Sequence, residues 1–268
     1  MRSAPFTIAL MTLLAPCVLS AGDPKDVAGT SFFDPAVIGQ PVRWRDGVVK
    51  YFVDQGALNS QVDNLHAIEM VDAAASLWTK VSTAGVVLTN SGPLPEDVVS
   101  SNVVPGPHLF GNPTFARPYS AAPSSSSFPA AVIFDEDGGI IDSLFGAGSA
   151  DPASCQNDGV FAWLDGIRTD ATISHAVILL NGRCATNAGL VAMMQYQLTR
   201  AFGRILGLDY AQVNRGTSAN GQPDAAFGWP IMDPLSLPPK AQLQLHVSME
   251  SFPLFPPPSQ EYLRPLQG

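Results

Sequence analysis

The chain has 268 residues, 46% of them hydrophobic and 14% charged, which is enough to bury the core of one large domain or two small ones and excludes an intrinsically disordered chain. Fourteen Lys and Arg against 23 Asp and Glu give a formal net charge of −9, and this acidic balance argues against a nucleic-acid binder. With 23 Gly and 24 Pro, long irregular loops are expected.

Arg2, the short apolar run from Phe6 to Leu14 and the small residues Ser20 and Ala21 have the pattern of a secretory signal peptide over residues 1–21. No later stretch reaches the roughly 18 apolar residues that a membrane helix needs, so the expected location is secreted, periplasmic or extracellular, with no membrane span. In an exported chain Cys155 and Cys184 are most simply one disulfide, with two free thiols as the alternative. Residues 22–47 lack periodicity and read as a lead-in segment. Val48 to Val53, β-branched and aromatic, reads as a strand. Apolar residues then recur at helical spacing from Val62 to Val81 (Leu65, Ile68, Val71, Ala75, Trp78), and Val86–Leu88 reads as a second strand. Eight prolines and the Ser124–Ser127 run predict mostly loop over residues 90–130. Ala130–Phe134 reads as a buried strand entering an Asp/Gly loop, and Thr172–Leu180 as another strand. A long helix is expected from Ala188 to Ile205, stopped by Gly207. From Ser251 onward prolines predict an extended tail, with residues 257–268 as its Pro-rich end. Strands and helices mix without regular alternation, so the class is α+β.

The most informative segment runs from Thr199 to Tyr210, TRAFGRILGLDY. It resembles the zinc helix of the metzincin peptidases, whose pattern is H-E-x-x-H-x-x-G-x-x-H: two histidines share a helix face, the glutamate is general base, and a glycine turns the chain toward a third histidine. On that pattern Arg200 and Arg204 stand at the first two histidines, Ala201 at the glutamate, Gly207 at the glycine and Tyr210 at the third histidine. Downstream, Trp229-Pro-Ile-Met232-Asp-Pro234 is similar to the Met-turn that underlies the metal in this superfamily, with Met232 as its methionine. The upstream element order and Leu254-Phe-Pro256 are similar to secreted bacterial matrixin-like members, so the resemblance covers about residues 40–256. It implies a metzincin-like domain over residues 48–256: a twisted mixed sheet, a long helix packed on it, and a second helix, the former active-site one, followed by the Met-turn.

The substitutions remove the chemistry. Arginine offers no lone pair to zinc and alanine no carboxylate to activate water. None of His66, His108, His175 and His246 has a partner three to five residues away, the spacing from which zinc sites usually draw two ligands. His175, on an apolar strand, is expected to be a satisfied core or edge residue, and His66 and His246 surface residues. The resemblance therefore implies a pseudopeptidase with no zinc, whose cleft holds an extended peptide or an anionic group. The alternatives are a zinc-dependent endopeptidase with unconventional ligands, or a secreted structural spacer. Arg200 and Arg204, one turn apart, form a candidate anion site, with ion pairing to nearby Asp or Glu as the alternative. Asp135, Asp137 and Asp142, with Gly138 and Gly139, form a candidate calcium site, with a solvated acidic turn as the alternative. No nucleophile elbow, phosphate loop or dinucleotide fingerprint is present.

Overall fold

A computed structural model describes residues 24–81, 85–103, 128–209 and 232. The strands are β1 (Val48–Val53), β2 (Val87–Pro93), β3 (Ala130–Asp135), β4 (Val160–Ile167) and β5 (Ile173–Asn181). They form one mixed sheet in the order β2-β1-β3-β5-β4. β1 pairs in parallel with β2 and β3, β3 with β5 in parallel, and β4 antiparallel to β5, so β4 is an edge strand among the described residues. The helices are α1 (Asn64–Thr79), α2 (Gly139–Phe145), the single turn α3 (Cys155–Asp158) and α4 (Ala188–Ile205). The chain is α+β, as its sequence predicts.

Each long element starts where local chemistry allows it. The Asp63 carboxylate caps α1 by accepting from His66 N, and the Asn187 side chain caps α4 by accepting from Leu190 N. Parallel pairing of β1 with β2 requires a crossover, and α1 supplies it. All six β3 residues are buried, as its continuous apolar run demands of a central strand covered on both faces. Alternation then sorts two cores. Val49, Tyr51, Val53, Val132, Phe134, Ile178 and Leu180 meet α1 and α4 on one face. Ala131, Ile133, Trp163, Val177 and Leu179 meet α2, Leu94 and Val98 on the other.

Several expectations are corrected here. The second strand runs on to Pro93, into the stretch expected to be loop, because its polar residues lie at the other sheet edge where one side can face water. The Asp/Gly loop after β3 is short, and helix α2 begins at Gly139. Strand β4 has no counterpart among the sequence expectations. Residues 24–47 are docked onto the fold: Ala28, Val42 and Trp44 are buried, and Trp44 Nε1 donates to Ile205 O at 2.7 Å. The disulfide is present between Cys155 and Cys184. Among the described residues no helix is long and apolar enough to cross a membrane. The expected signal peptide, the Ser124–Ser127 run, His108, Tyr210, most of the Met-turn, His246 and the Pro-rich tail lie outside the described residues.

Candidate functional site

A small open groove lies between α4 and the edge strand β4, lined by Val160 and Ala162 of β4, Asn157 of α3, and Gln197, Arg200, Ala201 and Arg204 of α4. Arg200, Ala201 and Arg204 follow Gln197 by three, four and seven positions, which puts the four on one helix face. Three of the motif positions read from the sequence are thus side by side along one groove.

The helix behind this groove is held rigidly. Trp78 of α1 donates from Nε1 to Thr199 O at 2.7 Å, and Gln195 Nε2 donates to Met70 O at 2.9 Å. Gly203 lies against both α1 and Met232: a Cβ there would come within 2.5 Å of Met232 Sδ and 2.7 Å of the Trp78 ring. Met232 itself is fully buried in the core that contains Ala201 and Phe202. Gly207 ends the helix with φ +91°, in the left-handed region that favours glycine, and its N–H and the N–H of Leu208 close the last turn onto Arg204 O and Gly203 O.

At the head of the groove the Cys155–Cys184 bridge ties α3 to the turn after β5. Gln197, 6% exposed, donates from Nε2 to Cys155 O at 3.0 Å and Gln156 O at 2.8 Å. The Arg200 guanidinium carbon lies over the Tyr196 ring, 5.5 Å from its centroid, a cation–π contact.

Zinc does not fit the groove. Its lining offers two guanidinium groups, an alanine methyl, two amides and two aliphatic side chains, with no imidazole, thiolate or carboxylate among them. The candidate calcium ligands are engaged with backbone donors. Asp135, buried, accepts from Ile140 N and Ile141 N; Asp137 accepts from Gly139 N; Asp142 accepts from Ala150 N, with Arg183 at 3.7 Å. Among the described residues no three His, Cys, Asp or Glu side chains group as a metal site.

His66, His175, Asp165 and Asp54 are not among the residues that line the groove. His66 is exposed and pairs with Asp63. His175 is fully buried and its Nδ1 bonds the buried Asp165 carboxylate across β4 and β5, so the expectation of a satisfied histidine holds for one nitrogen. Nε2 of His175 and Oδ2 of Asp165 have no hydrogen-bond partner among the described residues. Asp165 falls at a register irregularity between Leu164 and Gly166, a bulge that the sequence did not announce except through Gly166. The sequence also gave no sign of Asp54, which accepts from Val98 N and Phe134 N at 3.0 Å and ties β1, β3 and the loop after β2 together.

No protein-family model matches the chain, and neither does any curated protein or any solved structure.

Proposed function

We propose that the chain is a secreted protein with a metzincin-like, matrixin-related fold that has lost its zinc centre, and that the groove between α4 and β4 holds an extended peptide without cleaving it. The observation that carries this reading is the groove lining: Arg200, Ala201 and Arg204, which align with two metal ligands and the general base of the peptidase pattern, stand together beside β4, the edge strand among the described residues. The buried Met232 against Gly203 supports it, since a Met-turn methionine is expected beneath that part of the helix. An edge strand next to a groove suits an added peptide strand, whose main-chain bonds supply affinity while side chains supply selection. A disulfide suits an oxidising compartment. The test is metal analysis of the purified protein together with a peptide-hydrolysis assay. The expected result is no stoichiometric zinc and no chelator-sensitive cleavage; zinc at one equivalent with chelator-sensitive hydrolysis overturns the reading in favour of an active peptidase.

A further inference from the structure

The two walls of the groove, α4 and β4, are tied together at their ends by residues 24–45. This segment has a small ladder of its own: Ala28 N donates to Gln40 O at 2.9 Å, Gly39 N to Ala28 O at 2.8 Å and Val42 N to Asp26 O at 2.9 Å. Its outward bonds reach two places. On the α4 side, Lys25 N donates to Gly207 O and Trp44 Nε1 to Ile205 O, both at 2.7 Å, meeting carbonyls that a helix leaves open at its C-terminus. Both acceptors lie within one turn of Arg204, which lines the groove. On the β4 side the partner is the turn that follows the strand. Asp34 N donates to Thr169 O at 2.8 Å, Arg43 N to Ala171 O at 3.1 Å, and Arg45 meets Asp170 at 2.7 Å. Ile173 N, at the start of β5, donates back to Arg43 O at 2.9 Å.

The attachment is shallow. Within residues 24–45 only Ala28, Val42 and Trp44 are buried, whereas every residue of β3 is. The Arg45 side chain is 65% exposed, and ion pairs of that kind add little. Segments with few buried apolar contacts and solvent-facing hydrogen bonds open at free energies below that of global unfolding. The internal ladder needs neither wall, so the segment can part from both without losing its own bonds. Arg43 bonds the turn and the next residue, Trp44, bonds the helix, so one set of contacts cannot move far without the other.

We propose that residues 24–45 form a clasp that sets the spacing of α4 from β4 and opens as one unit below global unfolding, widening the groove for an extended peptide. The clasp stands on the bonds above; its effect on a peptide rests on the reading of the groove as a peptide-holding site. The test is native-state hydrogen exchange of the full chain, read by NMR at the Lys25, Asp34, Arg43 and Ile173 amides, with Val132 and Ile178 as core references. Corrected for intrinsic rates, the four amides should share one opening free energy and exchange at least about a hundredfold faster than the references. Trp44→Phe removes the indole bond to the helix and should speed all four by one factor, about tenfold, including Asp34 and Ile173 on the turn side. Arg45→Glu, at an exposed position, sets like charges together on the turn side and should speed Lys25 on the helix side about threefold. Four amides that exchange no faster than the references overturn the opening. Variants that speed only the amides on their own wall overturn the single unit. Retention of an N-acetylated random hexapeptide library on the immobilised chain, quantified by mass spectrometry, should rise about threefold in Trp44→Phe, because less of the binding energy is spent on opening. Equal retention by both proteins overturns the link between clasp and groove. Retention by neither overturns the peptide-holding reading, and the exchange rates then decide the clasp by themselves.

Discussion

Asp54 shows how one buried residue sets a pH response. It is 1% exposed, and burial pushes its carboxyl up to about 6 despite the backbone N–H bonds that favour the anion. A raised folded-state value means that the folded chain takes up this proton at a higher pH than the unfolded chain does. Stability from Asp54 therefore rises as pH falls from above 6 toward about 4, by on the order of 2 kcal/mol. Burial raises Asp135 and Asp158 in the same direction. The exposed Asp63 and the half-buried Asp170 are lowered, the first chiefly by the His66 N–H and the second chiefly by the Thr172 hydroxyl, so their contributions are lost only at more acidic pH. The melting temperature should be higher at pH 5 than at pH 7.5, and the difference should shrink in Asp54→Asn. Equal pH dependence in the two proteins rejects the assignment. Gly203 makes a second residue-scale prediction. Because its Cβ position is already occupied by Met232 and Trp78, Gly203→Ala should cost about 1–3 kcal/mol through overpacking. Gly29→Ala, with nothing within 4 Å, is the control that should leave thermal unfolding unchanged.

At the scale of elements, the sequence is legible wherever burial is periodic and silent where it is long-range. The bounds read for α4 agree with those observed, because its apolar spacing runs between an asparagine cap and a glycine in the left-handed region. β1, β3 and β5 announce themselves as β-branched runs. β4 does not, since Asp165 and Gly166 interrupt its apolar run where the bulge forms, and α2 is only seven residues long and starts at a glycine pair. The docking of Trp44 on Ile205 O spans 161 residues and leaves no local pattern to read. The same limit applies to the groove: the helix spacing aligned Arg200, Ala201 and Arg204, but nothing local showed that Gln197 and β4 would complete the lining. The disulfide joins those two levels. It closes 29 residues of separation and anchors α3, whose carbonyls hold Gln197. Reduction, or Cys155→Ala with Cys184→Ala, should lower stability by about 2–4 kcal/mol. Because Asn157 of α3 lines the groove, the same change should also weaken peptide binding there; binding unchanged under full reduction rejects a role for α3 in holding the groove.

For the whole molecule, the decisive question is whether the scaffold around the groove has the geometry to hold a metal, as the proposed metzincin-like reading requires. A sheet with two long helices on one face, a glycine closing the second helix and a buried methionine against that helix stand beside a groove lining that holds no imidazole, thiolate or carboxylate. Restoring the side chains therefore tests the frame itself. The fourfold variant Arg200→His, Ala201→Glu, Arg204→His and Tyr210→His would present two imidazoles one turn apart on one face, a carboxylate next to the first, and a third imidazole past the Gly207 turn. It should bind one equivalent of zinc, measured by metal analysis after gel filtration, and zinc should raise its melting temperature, as any ligand specific to the folded state does. The wild type should show neither effect. Should the folded variant, with an unchanged circular dichroism spectrum, take up no zinc, the likeness to the peptidase helix would be one of sequence spacing alone. The groove would then have to be explained without a metal-bearing ancestor.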